Sequence, residues 1–285
     1  PALLCVVPVA TGDALGGLVD TVRALARAQA ARDRLGALTS QPPAVADRGT
    51  RASGIPLGPQ TAPAPPTIRL RGVSAEWHEG STALAPVDLD LAPGSRTAIV
   101  GSNGSGKSTL LAVLARQLDP AEGSYTLDGV DATALDLEEV QSLVAVVDDE
   151  PHIFATTLRD NLRVAATDAD DEAVEDALRA ARLGPWLDAL PLGLDTRLGA
   201  GGHGVSGGER ARIALARALV SRRPVVLLDE PVAHLDHVTA VAVTRDVLAT
   251  TRGRTVVLVS HRPEGLAEFD DVIDVTPANH ARPRE

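Results

Sequence analysis

One glycine-rich octapeptide limits the possible folds of this chain more than any other feature. It reads Gly101-Ser102-Asn103-Gly104-Ser105-Gly106-Lys107-Ser108 and fits the pattern G-x-x-x-x-G-K-[ST]. A β-rich run, residues 97–100, comes before it, and an apolar helical pattern follows it. Glycines at these positions let backbone N–H groups converge on phosphate oxygens, and the start of the helix adds positive potential. The sequence therefore predicts a strand, a phosphate-binding loop and a helix in succession.

The lysine of this octapeptide has no counterpart elsewhere in the chain. Lysine and arginine together number 27, and Lys107 is the one lysine. We expect its ammonium group to reach the β- and γ-phosphates of a nucleotide as a compact point charge, in a place for which the planar guanidinium of arginine is too large. The hydroxyl of the next residue, Ser108, is expected to bind Mg²⁺.

A second motif combines four apolar residues with two carboxylates. Residues 225–228 are Val-Val-Leu-Leu, and Asp229 and Glu230 follow directly. A buried strand of this kind delivers its last side chains to the carboxyl edge of a parallel sheet, where ligands bind. We expect Asp229 to hold Mg²⁺ through water, and Glu230 to polarise the water that attacks the γ-phosphate. The pattern is common when taken alone, but after a phosphate-binding loop it predicts a nucleoside triphosphatase.

Short β-rich runs alternate with helical patterns from residue 67 onward, which predicts a largely parallel α/β sheet. The β-rich runs are 67–73, 97–100, 144–147, 225–228 and 255–259, and the helical patterns are 107–117, 171–183, 207–220 and 236–250. A net charge of −11 argues against a nucleic-acid-binding surface, which needs clustered basic residues. A single cysteine excludes an intrachain disulfide.

The first 66 residues follow a different pattern. Leucine and valine at positions 15, 18, 22 and 25 have the spacing of one helix face, and arginines surround them. We interpret residues 1–40 as the remnant of a last transmembrane helix with its cytoplasmic extension; a surface helix of a soluble domain is the alternative. Repeated prolines indicate that residues 41–66 form an extended linker.

A third motif separates this chain from most nucleoside triphosphatases. It reads Val205-Ser206-Gly207-Gly208-Glu209-Arg210 and opens a helical pattern. With the two motifs described above, it makes residues 67–285 resemble the ATP-binding-cassette (ABC) family. The resemblance implies an α/β P-loop NTPase fold of the RecA-like type, with a mostly parallel sheet core, an antiparallel β edge and an ABC helical subdomain at about 141–220. It also implies that Ser206, Gly207 and Gly208 contact ATP held on a partner's phosphate loop; a glycine-rich helix cap without a ligand is the alternative.

Further positions match the family one by one. His261, after residues 255–259, fits the switch histidine that touches the γ-phosphate, and Asp236 fits the loop that meets the partner chain. Trp77 fits the aromatic residue that stacks on adenine, although the family more often has tyrosine, and an ordinary strand aromatic is the alternative. With ATP and Mg²⁺ as ligands, the resemblance implies a catalytic, a metal-binding and a nucleotide-contacting set. The catalytic set is Glu230, His261 and Lys107; the metal set is Ser108 and Asp229; the nucleotide set is Trp77, Gly101, Ser102, Asn103, Gly104, Ser105, Gly106, Lys107, Ser108, Thr109, Asp149, Ser206, Gly207, Gly208 and Asp236.

Two positions depart from the family pattern. Counting back from Phe154, the glutamine that usually contacts Mg²⁺ falls on Asp149. The glutamate that exporters usually carry six residues before the signature serine falls on Ala200. Because Asp148 and Glu150 flank Asp149, we expect this acidic loop to be repelled by a triphosphate and to stay outward. The isolated domain is then expected to be a weak ATPase that depends on its partner.

The block from Phe154 to Asn161 resembles exporter-type half-transporters, in which a membrane domain is fused to the cassette. Residues 148–154 and 230–236 look closest to the CydC type, one subunit of the heterodimeric CydDC thiol exporters that support cytochrome bd assembly. The resemblance implies an ATPase at the cytoplasmic face of a bacterial membrane, partnered by a CydD-like half-transporter and by transmembrane domains, with no nucleic acid. Two alternatives are a soluble ABC ATPase that acts on nucleic acid or the ribosome, and a regulatory nucleotide-binding subunit with little turnover.

Overall fold

The computed structural model describes residues 2–40, 45, 64–78, 80–199, 204–231, 237–261 and 265–276. The chain divides into two compact units, Pro1–Ala46 and Asp47–Glu285. Two predicted positions, Ala200 and Asp236, lie outside the described residues, as does most of the proline-rich range 41–66.

The first unit contains one long helix, α1 (Ala2–Thr39). The helix predicted from the spacing of apolar residues is therefore present, and it is longer than that spacing indicated. Three of its apolar side chains, Val22, Leu25 and Leu35, are exposed. Within the part of the chain that the structure describes, no helix is both long and apolar enough to cross a membrane. The assignment of residues 1–40 to the end of a transmembrane helix stays a prediction.

The second unit contains two sheets and several helices. Its strands are β1 (Ile68–Glu76), β2 (Thr82–Leu91), β3 (Arg96–Val100), β4 (Glu122–Leu127), β5 (Val130–Asp131), β6 (Val144–Val147), β7 (Val225–Asp229), β8 (Thr255–Val259) and β9 (Asp271–Asp274). Its helices are α2 (Lys107–Leu114), α3 (Leu137–Ser142), α4 (Leu158–Arg163), α5 (Asp171–Ala180), α6 (Gly184–Asp188), α7 (Gly207–Val220) and α8 (His237–Thr250).

The central sheet is parallel, in the order β6-β7-β8-β3-β9. Strand β7 shows why it is buried on both sides. Val226 and Leu228 pack into an apolar cluster with the helices that follow β6, whereas Val225 and Leu227 pack into a second cluster with α2 and the other sheet. A continuous apolar run is the pattern expected of a strand with both faces covered.

The smaller sheet is antiparallel, in the order β2-β1-β4-β5. The strand predicted at residues 67–73 continues to Glu76 and carries register shifts against β2. Together the two sheets confirm the predicted fold class, a parallel α/β core with an antiparallel β edge.

The helices after β6 pack mainly on one another, with α5 against α6 and α7, and α4 against α7. In the range 141–220 that we assigned to a helical subdomain, β6 belongs to the parallel sheet and the run of packed helices starts at α4. Helix α7 has the predicted bounds, but α2 is shorter than predicted. It ends at Leu114 because Arg116, with a φ of 51°, has left the helical conformation.

Candidate nucleotide-binding and catalytic site

The phosphate loop connects β3 to α2 and lies against β2. A β-carbon added at Gly106, where φ is 94°, would lie 2.7 Å from the backbone oxygen of Ala83 in β2. One added at Gly101 would lie 2.6 Å from Ser105 Oγ. Glycine is therefore required at Gly106 by close backbone approach and by its left-handed conformation, and at Gly101 by the close approach of the Ser105 side chain.

Lys107 lies inside this loop and is 6% exposed. Its Nζ donates to the backbone oxygens of Gly101, at 3.0 Å, and of Ser102, at 2.9 Å. Two of the three ammonium N–H groups thus hold the loop in its curved form. The third is left for a ligand, so the charge is already in place before a phosphate arrives.

The start of α2 is suited to an anion. Gly106 precedes the helix and supplies no side-chain cap, and the first intrahelical bond runs from the N–H of Leu110 to the Gly106 oxygen at 2.8 Å. The N–H groups of Lys107, Ser108 and Thr109 therefore precede the helical hydrogen-bond ladder. Ser105 Oγ is buried, and among the described residues it has no hydrogen-bond partner. An uncapped helix start, a glycine cradle and an orphaned hydroxyl fit a bound triphosphate.

Residues near the end of the described chain hold the beginning of the loop. The N–H of Ser102 donates to Thr276 Oγ1 at 3.3 Å, and the N–H of Thr276 donates to Asp274 Oδ1 at 2.8 Å. The pKa of Asp274 is lowered by the hydrogen bonds from Thr276 and by the charge of Lys107. No local sequence pattern predicts this contact, because the two residues are 174 positions apart.

Asp229 ends β7 beside the phosphate loop, where its carboxylate accepts a hydrogen bond from the Ser108 hydroxyl. Burial raises the pKa of Asp229, and the negative charges of Asp149, Glu230 and Asp148 raise it further. Such crowding of negative charge fits a site that takes a cation. Within the described residues, no three or more His, Cys, Asp or Glu side chains group as metal ligands. One hydroxyl and one carboxylate are a typical protein share for Mg²⁺, which keeps waters and phosphates as its other ligands.

Glu230 follows Asp229 with a strained backbone. Its φ is 45°, in the left-handed region that residues other than glycine seldom adopt. The N–H of Glu230 donates to the Val259 oxygen at 3.1 Å, and Glu230 Oε2 lies 2.7 Å from Nδ1 of His261. Strain of this kind, held in place by neighbouring contacts, is characteristic of functional positions. The structure thus brings together the predicted catalytic pair Glu230 and His261.

Asp149 lies on an exposed segment shortly after β6. Its Oδ1 accepts the N–H of Glu150 at 2.8 Å, which directs the carboxylate to its own backbone. Its charge nevertheless contributes to the raised pKa of Asp229. The Asp149 carboxylate is therefore close enough to raise the pKa of Asp229, while one of its oxygens is hydrogen-bonded to the adjacent backbone.

Trp77 lies just after β1 and is 51% exposed. Its indole Nε1 donates to Oγ1 of Thr109 at 3.2 Å. Thr109 is the third residue of α2 and is buried. The predicted adenine-stacking residue is thus located next to the phosphate loop with much of its ring accessible.

The signature motif caps α7. Ser206 Oγ accepts the N–H of Glu209 at 3.2 Å, and Glu209 Oε2 accepts the N–H of Ser206 at 2.7 Å. This reciprocal pair is a capping box. Gly207 and Gly208 line a cavity of about 310 Å³ that Asp149 and Glu230 also line. Within one chain the signature therefore lies near the end of β7, and no residue of the phosphate loop lines this cavity.

Phe154 is held by side chains that sequence reasoning did not find. Asn161, which is fully buried, accepts the N–H of Phe154 at 3.0 Å and donates to its oxygen at 3.0 Å. The guanidinium of Arg217, in α7, donates to the oxygens of His152 and Asn161 and lies 5.5 Å from the Phe154 ring centre. The ring is still 41% exposed.

Comparisons with known proteins agree with this geometry. A family model described as ABC transporter matches residues 84–233. Among curated relatives, the mycobactin import ATP-binding/permease protein IrtB of Mycolicibacterium thermoresistibile is 42% identical over 212 residues, which cover 74% of this chain and 36% of the relative. The glutathione/L-cysteine transport system ATP-binding/permease protein CydD of Bacillus subtilis is 36% identical over 207 residues, which cover 73% of this chain and 36% of CydD.

A solved structure is similar as well. It is that of a bacterial Atm1-family ABC exporter with ATP bound, with a TM-score of 0.68, 31% sequence identity and coverage of 75% of this chain and 40% of the other. The chain thus spans well under half the length of the relatives it matches.

Proposed function

This chain belongs to the ABC transporter family, and we propose that it is an ATPase domain whose phosphate loop and end of β7 together hydrolyse ATP to drive transport. The contact between Glu230 and His261 carries this proposal, because it fixes a carboxylate beside Asp229 at the carboxyl edge of the sheet. A carboxylate oriented by an imidazole is suited to accept the proton of an attacking water.

Each chemical role falls to a residue whose surroundings suit it. Lys107, with one ammonium N–H left over from the loop oxygens, neutralises charge on the transferred phosphoryl group. The water oxygen bonds to the γ-phosphorus, its proton passes to Glu230, and the bond to the departing ADP oxygen breaks. When Mg²⁺ is bound at Ser108 and Asp229, it screens the charge of the β- and γ-phosphates. Trp77 provides the surface on which the adenine stacks.

The signature residues point to a second cassette as a partner. Among the described residues, a β-carbon added at Gly207 would meet nothing within 4 Å, so none of them requires glycine there. A missing side chain at the start of a helix lets an anion from outside approach the backbone closely. We therefore infer that Ser206, Gly207 and Gly208 contact ATP held by a second half-transporter.

The surface around Phe154 supports contact with a transmembrane domain at the cytoplasmic face of the membrane. Its aromatic ring is exposed, yet its backbone and position are fixed by Asn161 and Arg217. A fixed, exposed aromatic side chain is typical of a protein–protein contact. We infer the exporter-type arrangement, in which a membrane domain and a cassette form one half-transporter.

For the cargo we propose a thiol, moved by a CydC-like subunit with a CydD-like partner that supports cytochrome bd assembly. Residues 148–154 and the likeness to CydD of Bacillus subtilis support this choice. Mycobactin is the second candidate, because identity to the IrtB relative is higher, at 42% against 36%. Stimulation of ATP turnover in the membrane-embedded transporter by glutathione or cysteine, as opposed to mycobactin, distinguishes the two.

The hydrolytic assignment is tested by Glu230→Gln, measured with the partner half-transporter present. The amide keeps the shape of the side chain but accepts a proton poorly, so turnover should fall by a factor of about 10² to 10⁴ while ATP binding persists. Glu172→Gln, an exposed change in α5, is the matched control and should leave turnover unchanged. Parental turnover in Glu230→Gln would show that Glu230 is not the catalytic carboxylate.

A further inference from the structure

The hydrogen bond between Trp77 and Thr109 links the proposed base-stacking surface to the helix that carries the phosphate loop. We propose that Thr109 is a positioning residue for the nucleotide base: its hydroxyl oxygen accepts the indole N–H of Trp77 and sets the orientation of the ring. This inference rests on the proposed nucleotide site and adds to it a residue that acts on the base through Trp77.

The exposure of the two residues shows what the bond accomplishes. Trp77 is 51% exposed, so water could satisfy its indole N–H as well as a protein group could. Thr109 is 7% exposed and lies in the first turn of a helix whose residues are almost all buried. The bond therefore joins a half-exposed ring to a buried acceptor, and we expect it to set the orientation of the ring.

Among the described residues next to Trp77, a second hydrogen bond holds the backbone rather than the ring. The N–H of Gly80 donates to Glu76 Oε2 at 2.9 Å, which closes the turn after β1. Among the described residues, the bond to Thr109 is the hydrogen bond of the indole group. Since a tryptophan side chain has two rotatable bonds, fixing its far end restricts both of them.

Orientation before binding has a consequence for affinity. A ring that is already positioned loses less rotational freedom when a base stacks on it, so more of the stacking free energy appears as affinity. Thr109 follows Lys107 by two residues and therefore moves with the phosphate-binding N–H groups of α2. The hydrogen bond therefore fixes the distance between the Trp77 ring and the phosphate-binding N–H groups, because Thr109 and those N–H groups lie in the first turn of α2.

The test compares ATP with inorganic tripolyphosphate, which has the phosphates and lacks the base. In the full chain, Thr109→Val keeps the side-chain shape and removes the acceptor. We expect it to weaken calorimetric ATP binding about three- to tenfold, the effect of one ordinary hydrogen bond, and to weaken tripolyphosphate binding less, because valine keeps the backbone N–H that precedes the helical hydrogen-bond ladder. Thr109→Ser keeps the oxygen and should bind ATP within about twofold of the parent.

Phenylalanine at position 77 gives a double-mutant test. Trp77→Phe retains a stacking ring but has no N–H, so adding Thr109→Val to it should cause no further loss of ATP affinity. The chain has two tryptophans, so in a Trp186→Phe background the emission of Trp77 alone should shift when Thr109 becomes valine.

Three other outcomes would contradict the positioning role or the nucleotide site on which it rests. Equal weakening of ATP and tripolyphosphate by Thr109→Val would make Thr109 a phosphate ligand and overturn the positioning role. A further loss of ATP affinity in the Trp77→Phe background would overturn it as well. If the parent chain binds neither compound, the proposed nucleotide site itself is wrong, and that result precedes any comparison of variants.

Discussion

The ammonium group of Lys107 donates to the oxygens of Gly101 and Ser102, which lie at the start of the loop that the lysine closes. The side chain is 6% exposed, and both oxygens that accept from Nζ belong to the backbone. A guanidinium is planar and wider, so it cannot reach both oxygens without displacing the loop.

Lys107→Arg should therefore lose ATP binding about as completely as Lys107→Ala. We expect a loss of at least about 100-fold for each, because charge-assisted hydrogen bonds to phosphate disappear in both. Titration calorimetry of the two variants measures it. Micromolar affinity retained by the arginine variant would contradict the steric argument.

Asp149 is a carboxylate where the family usually has glutamine, and its charge contributes to the raised pKa of Asp229. Asp149→Gln removes that negative charge beside the proposed metal site. We expect equal or up to about fivefold tighter Mg–ATP binding, and equal or higher turnover in the presence of the partner. Glu150→Gln is the control, since Glu150 is equally exposed and is absent from the charges that act on Asp229. A large loss of Mg²⁺ affinity in Asp149→Gln would identify Asp149 as a metal ligand.

At the start of α7, different residues of one motif serve folding and ligand binding. Ser206 and Glu209 form the capping box, whereas a β-carbon added at Gly207 would meet no described residue and one added at Gly208 would make only an ordinary contact with Arg212. Helix capping is worth about 1 kcal/mol, so the serine and glutamate account for the start of the helix.

Gly207→Ala should consequently leave the melting temperature unchanged or slightly higher, because the added methyl group meets nothing and alanine favours helix. The same change should reduce the ATP turnover of the assembled transporter about tenfold or more, since the methyl group lies where a partner's phosphate would approach. Gly204→Ala, at an equally open glycine just before the motif, is the control and should affect neither quantity. Unchanged turnover in Gly207→Ala would remove the evidence for a partner at this surface.

The elements that the sequence predicted are those with a local pattern. Helix α7 has a cap and apolar spacing, and β7 has four consecutive apolar residues, so both were predicted closely. Strand β9 was not predicted, because Asp271–Asp274 is mostly exposed and becomes a strand by pairing with β3. Likewise Lys107, Asp229 and Glu230 could be placed from their motifs, whereas Thr276 and Arg217 act through contacts between distant segments.

The ionised carboxylate of Asp229, at the proposed metal site, lowers the stability of the folded chain. Burial raises the pKa of Asp229 above its value of 3.8, and the neighbouring carboxylates add to the effect. A raised pKa means that the ionised form is less favourable in the folded than in the unfolded chain. This destabilisation is absent below pH 3.8, grows as the pH rises to the folded-state pKa, and stays constant above it.

Asp229→Asn should therefore melt at a higher temperature than the parent at neutral pH, and the difference should vanish below pH 3.8. The stabilisation that Mg–ATP confers should become smaller in the same variant, because a metal-binding oxygen with its charge is lost. Thermal melts with and without Mg–ATP measure both effects, with the exposed Asp168→Asn as the control. A lower melting temperature at neutral pH would show that the charge of Asp229 is compensated in the ligand-free fold.

The phosphate loop is enclosed by two segments that the chain supplies far apart: Ala83 of β2 lies against Gly106, and Thr276 accepts the N–H of Ser102. This arrangement limits which segments of the domain can be exchanged between related genes by recombination. A recombination with its crossover between residues 83 and 276 would combine the phosphate loop of one parent with a contacting segment, at Ala83 or Thr276, from the other. Crossovers that preserve nucleotide binding should therefore fall outside this span. Within it, sequence differences should accumulate by single substitutions that are compatible with the loop and with both contacting segments.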